Sequence, residues 1–211
     1  MRRFLLPIAL AGFASTAHAA TFTDSGSFFA DVTPVYTETF SSLGTVTDNS
    51  LTGPVSLPSG LTVASQSGDL FVAGPGQSTN PTTAIGSNNP RGDSLQLDFG
   101  GTYTAFGTDI FQNNSQGSQT GGPVEFVIAV FLGLSLVDSF SGLIAPNGGG
   151  FLGLTTLTGF DNATVTATGE DLYEVIDNVT VGQPVAPIPL PFSGVLLLGG
   201  LGALTVLRRR T

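Results

Sequence analysis

Between residues 20 and 184, apolar residues never recur at helical spacing for long enough to mark a helix. Short apolar runs instead alternate with clusters of Gly, Asn, Pro and Ser, the pattern of strands separated by tight turns. The runs predict strands at Val35–Phe40, Leu61–Ala64, Leu70–Ala73, Ser94–Phe99, Tyr103–Phe111, Val124–Phe131, Ser135–Phe140, Phe151–Leu154, Ala163–Thr168 and Tyr173–Val181. The clearest alternation sets Leu95, Leu97 and Phe99 against Ser94, Gln96 and Asp98. So many short strands predict an all-β chain, a two-sheet β-sandwich of the jelly-roll kind. Turn residues such as Asn88-Asn89-Pro90 and Asn147-Gly148-Gly149-Gly150 preset the bends between strands. Residues 74–93 are the longest stretch without a strand signal and read as a mobile loop.

Both ends differ from this middle. Arg2 and Arg3, the apolar run Phe4–Phe13 and the small residues Ala17 and Ala19 around His18 form a secretory signal peptide. A signal peptidase cutting after Ala19 would leave Ala20 as the first mature residue. At the other end, Phe192–Leu207 has no charged residue and is followed by Arg208, Arg209 and Arg210. Such a segment predicts a C-terminal transmembrane helix, near the short end of what crosses a bilayer, with its arginines retained on the cytoplasmic side. The chain therefore divides into a signal peptide (1–19), a β-sandwich (20–184) and a tail (185–211).

The tail places a proline motif, a glycine-rich apolar span and an arginine cluster in fixed order. It resembles the VPLPA-CTERM branch of the PEP-CTERM sorting signals, with Ile188, Pro189, Leu190, Pro191 and Phe192 standing where that pattern reads Val-Pro-Leu-Pro-Ala. The resemblance implies cleavage near the motif by an exosortase, a membrane protease. Two phrases extend it inward: Ala105-Phe106-Gly107-Thr108-Asp109-Ile110, and Gly150-Phe151-Leu152-Gly153-Leu154-Thr155. Val175-Ile176-Asp177-Asn178-Val179, before the tail, does the same. These are similar to passages in PEP-CTERM passenger domains, which implies a β-sandwich carried to the envelope or surface of a Gram-negative bacterium by way of an inner-membrane precursor. It also implies association with exopolysaccharide and biofilm.

Charge and residue usage narrow the chemistry. All fifteen acidic residues lie between residues 20 and 184, where Arg91 is the only basic residue, giving a formal charge of −14. Such a surface repels nucleic acid and anionic headgroups. The chain has no cysteine, and its single histidine, His18, leaves with the signal peptide. Imidazole- or thiolate-based catalysis and the usual zinc sites are therefore excluded from the mature domain. Carboxylate chemistry remains. A glycosidase or lyase needs a positioned pair of acids, but sugar-cleaving sites also lean on aromatic platforms, and this domain has no tryptophan and only Tyr36, Tyr103 and Tyr173.

No catalytic residue and no required cofactor are expected. Calcium is the ion these oxygen donors suit. By analogy with jelly rolls in which calcium ties the first strand to the last, Glu38 and Asp177 are the candidate ligands. Asp177 shares strand parity with Val175, Val179 and Val181, which predicts an inward-facing carboxylate in need of a partner. Glu170, Asp171 and Glu174 form a local acidic cluster, the mark of a solvated loop. The sequence thus predicts an exported, non-catalytic structural protein associated with extracellular polysaccharide. A calcium-dependent, lectin-like module is the alternative, and a secreted glycoside hydrolase or lyase the more distant one.

Overall fold

The computed structural model describes residues 19–44, 49–77, 80–89, 93–114, 122–146, 149–169 and 172–185. Most of the signal peptide including Ala17, the motif Ile188–Phe192, the apolar span Phe192–Leu207 and Arg208–Arg210 lie outside these residues; Ala19 is described and exposed. Among the described residues no helix is long and apolar enough to cross a membrane.

Residues 18–185 form one compact unit. In chain order its elements are β1 (Ala20–Phe22), α1 (Ser25–Asp31), β2 (Val32–Glu38), β3 (Asn49–Thr52), β4 (Val55–Ser56), β5 (Thr62–Ser65), β6 (Asp69–Ala73), β7 (Ala84–Ser87), β8 (Ser94–Asn114), β9 (Val124–Leu132), β10 (Ser135–Ile144), β11 (Gly150–Ala167) and β12 (Leu172–Pro184). The strand pairs are antiparallel and join into one large sheet.

Two long strands fold that sheet over. The first part of β8 pairs with the last part of β11, Ser94 opposite Thr166 and Asp98 opposite Asn162. Here the layer runs β10-β9-β11-β8-β5-β4. The second part of β8 pairs with the start of β11 and with β12. In this layer the far edge of β12 is shared by β7, at Val175 and Ile176, and β2, from Val179 to Pro184. The β8–β11 register slips between Thr155 and Phe160, where both strands pass from one layer to the other. This is why the sequence reads as two strands in each case: the apolar alternation breaks at the bend while the chain stays extended.

One core fills the space between the layers. Leu95, Leu97, Phe126, Ile128, Val130 and Val165 from the first pack in the same cluster as Phe106, Ile110, Leu152, Leu154, Ile176 and Val181 from the second. Each such side chain contributes about 1.5–3 kcal/mol through removal from water. Rings gather at the bend, where Phe99 lies 5.6 Å from Phe106, 5.9 Å from Phe160 and 6.1 Å from Tyr103 between centroids.

The outer side of the second layer carries a smaller cluster. Asp24 caps α1, its Oδ1 accepting the Ser27 N–H at 2.8 Å, and the helix lays Phe28 against Phe22 and Phe151. Gly107 and Gly153 stand opposite each other in the β8–β11 ladder and provide the floor for these rings. A Cβ on Gly107 would sit 2.5 Å from the Phe151 ring and 3.1 Å from Phe28. The glycines of both phrases thus have a steric role beneath these rings. Gly107→Ala is expected to lower stability by about 1–3 kcal/mol through overpacking, read as a fall in the urea midpoint at unchanged slope.

Residues 74–93 differ from the expected mobile loop. They contain β7, which pairs with both β6 and β12, and Asn80 is buried. The strand was missed because Ala84-Ile85-Gly86-Ser87 is short and buried at every position, so it shows no alternation.

Candidate functional site

The outer side of the second layer also bears a cleft of about 440 Å³, lined mainly by Asp24, Asn80, Thr82, Asp109, Phe111, Phe151 and Asn178. Four parts of the chain meet there: the β1–α1 turn, the segment before β7, adjoining positions of β8 and β11, and a bulge in β12.

The bulge organises the cleft. Asp177 stands directly opposite Asp109, after which the register shifts before Thr180. Asn178 supplies the extra residue at φ 49°, a left-handed conformation that asparagine tolerates better than most side chains. Turned in this way, Asn178 holds both carboxylates. Its backbone N–H donates to Asp177 Oδ1 at 2.7 Å, and its side-chain amide donates to Asp109 Oδ2 at 2.7 Å.

The bulge also corrects the expected orientation of Asp177. Val179 and Val181 belong to the central core, whereas Val175 packs with Phe111, Ala73 and Ala84 on the outer side. Asp177 keeps the parity of Val175 and not that of the later valines. It is nevertheless fully buried, because the segment before β7 closes over it. Asn80 Nδ2 donates to its Oδ2 at 3.0 Å and the Thr82 hydroxyl donates to the same oxygen. Burial pushes the Asp177 carboxyl up from its ordinary value, against the pull of these donors, and the Glu38 charge adds to the rise. Asp177 is thus a structural anchor that fixes one wall of the cleft.

Asp109 is the carboxylate that the cleft presents. It is partly buried, and its carboxyl is raised first by burial and further by the Asp177 charge, with the Asn178 bond opposing. Its Oδ1 has no donor among the described residues, while Phe111 and Phe151 supply apolar surface beside it. Asp24, which also lines the cleft, is held below its ordinary value by the Ser27 N–H. Fixed hydrogen-bond acceptors beside aromatic rings suit a neutral ligand rich in hydroxyl groups.

Glu38 lies elsewhere, at the end of β2 opposite Val179. Its Oε1 accepts the Phe40 N–H at 2.8 Å and its Oε2 the Ser59 hydroxyl at 2.5 Å. All four carboxylate oxygens of Glu38 and Asp177 therefore accept hydrogen bonds from protein donors. Among the described residues no group of three or more His, Cys, Asp or Glu is placed to hold a metal. Glu174 departs from the solvated cluster that the sequence suggests: it is fully buried in β12, accepting from Ser87 and Ala167. Glu170 and Asp171 lie outside the described residues.

Sequence reasoning passed over Asp24, Asn80, Thr82, Asp109 and Asn178. Asp109 had a signal, as an acid flanked by small and apolar residues inside a strand. Asn80 and Thr82 had none, since their role comes from contacts with Asp177, 97 and 95 residues further along the chain.

No family model matches the chain and no curated protein matches it in sequence. Among solved structures it is similar to a family 29 carbohydrate-binding module, at 15% identity and a TM-score of 0.40, over 67% of this chain and 98% of that one. A DUF4465 family protein of Bacteroides caccae gives 12% identity and a TM-score of 0.43, over 69% and 97% of the two chains. A CBM32 module from a Clostridium perfringens glycoside hydrolase gives 16% and 0.33, over 47% and 74%. Likeness of this degree transfers neither ligand nor reaction.

Proposed function

We propose that the chain is an exported, non-catalytic module that binds neutral, hydroxyl-rich polysaccharide in the Asp109 cleft, with a matrix-associated role outside the cell. The supporting observation is the cleft itself: an acceptor oxygen left open on Asp109, held in place by Asn178 beside Phe111 and Phe151. The formal charge of −14 on residues 20–184 disfavours anionic polymers and so favours neutral ones. Titration calorimetry of the domain against neutral polysaccharides is expected to find binding that Asp109→Asn weakens about tenfold, by replacing an acceptor with a donor. Absence of binding, or an unaffected variant, overturns the reading. Binding abolished by a chelator would restore the calcium-dependent alternative, for which a cation would have to displace the donors on Glu38 and Asp177.

A hydrolytic reading has one observation in its favour, that Asp109 is raised and Asp24 lowered on the same cleft, a separation that acid–base pairs exploit. Release of reducing ends from a bound polysaccharide, lost in Asp109→Asn, would establish it.

On this reading the two-layer domain is of the jelly-roll kind, and the span Phe192–Leu207 holds the precursor in the inner membrane until an exosortase cuts near Ile188–Phe192. Supporting the expected signal peptidase cut, β1 starts at Ala20, whose N–H donates to the Thr155 hydroxyl at 3.0 Å. Intact-mass spectrometry of the protein from its native envelope is expected to show both ends removed, and a retained tail overturns exosortase processing.

A further inference from the structure

β10 is the outer edge of the first layer. It pairs with β9 from Ser135 to Ile144 and, among the described residues, with no other strand. Open edges are usually guarded by lysine, proline or charge. β10 contains no lysine or proline, and its one charge is Asp138, whose Oδ1 accepts the Ser139 N–H at 2.8 Å. That bond shows the Ser139 N–H turned away from β9, so Ser139, Ser141 and Leu143 present their backbone groups to the open side.

A register shift between Leu136 and Asp138 changes the side-chain phase. Leu136 and Leu143, whose odd spacing would otherwise put them on opposite faces, stand opposite Phe131 and Glu125 of β9 on one outer face. They are 59% and 73% exposed.

We propose that this edge pairs with the same edge of a second copy of the chain, antiparallel about a two-fold axis through Phe140. In that register Ser139 of each copy faces Ser141 of the other, and each Asp138 faces a Gly142, so the strand's only charge meets no like charge. Beyond the bulge, Leu136 of each copy meets Leu143 of the other. A register centred on Asp138 would instead oppose two carboxylates. In this register two copies can meet along the edge without opposed charges. Asp138 is the one guard, and it must release the Ser139 N–H for the copies to join.

Because the chain has no cysteine, the register can be trapped directly in the full-length protein. Ser139 and Ser141 are exposed, so Ser139→Cys and Ser141→Cys leave the core intact. A hydrogen-bonded pair in such a ladder has Cα atoms about 5.5 Å apart, within disulfide reach. Under oxidation the two variants mixed should give at least about tenfold more covalent dimer than either alone, since only the mixture sets a cysteine opposite a cysteine. Adding Asp138→Ala should raise the yield further by removing the guard. No dimer in the mixture, or equal dimer from each variant alone, overturns the proposal.

Discussion

Glu174→Gln is expected to stabilise the domain at alkaline pH and to remove most of its pH dependence between 5 and 8. A glutamate ordinarily releases its proton near 4.5; burial pushes the Glu174 carboxyl up to about 7, with the Ser87 and Ala167 hydrogen bonds offsetting part of the effect. The folded chain therefore holds a proton that the unfolded chain gives up between these two values. Stability is unaffected by this group below 4.5, falls as the pH rises from 4.5 to 7, and stays lowered above. For one site the loss is about 3 kcal/mol. Glutamine keeps an acceptor for the Ala167 N–H at 2.9 Å and a donor for the Ser87 hydroxyl without the buried charge. Urea unfolding at pH 5 and pH 8 checks this. Wild type should be clearly more stable at pH 5 and the variant nearly equal at both, with a residual slope from Asp109 and Asp177, whose carboxyls are raised in the same direction. Equal wild-type stability at both values would show that the Glu174 carboxylate is better solvated than its surroundings indicate.

The second large effect is expected at Asp177. Asp177→Ala leaves the Asn178 N–H and the buried Asn80 amide without the acceptor that Asp177 gives them, and removes one of the two acceptors of the exposed Thr82 hydroxyl. The expected loss is about 3 kcal/mol or more, with loss of the proposed polysaccharide binding as the wall formed by Asn80 and Thr82 detaches. Asp177→Asn keeps one acceptor and should fall between wild type and alanine. Binding and unfolding measured on the three proteins would test the order. If the alanine variant binds as wild type does, Asp177 does not hold the cleft together.

The two cases mark the limits of what the sequence reveals. Strict alternation such as Leu95-Gln96-Leu97-Asp98-Phe99 reports a strand with one wet face, and it located most of the sheet. β7 and the middle parts of β8 and β11 escaped because burial on both faces or a bend erases the alternation. Glu174 and Asp177 are the same problem in polar form. In sequence an acid near a chain bend looks solvated, and its burial is decided by Ser87 in one case and by Asn80 and Thr82 in the other, all distant along the chain. The need of Asp177 for a partner could be anticipated from its place among valines, but the bulge at Asn178 decides which side it faces. Asp109 lay inside a phrase singled out for other reasons, and only its register opposite Asp177 gives it a role.

The position of β12 bears on how the molecule is made. β2, β7 and β8 all pair with this strand, yet it is the last of the described strands to be synthesised, ending at Pro184. Until it emerges, β2 lacks its partner and the second part of β8 lacks one of its two, although β8, β9, β10 and β11 can already pair with one another. The proposed sorting tail begins where β12 stops. A chain released early from the ribosome therefore lacks the strand that closes the second layer together with the proposed sorting tail that follows it. On the proposed reading, the tail would then be carried only by chains long enough to close the second layer.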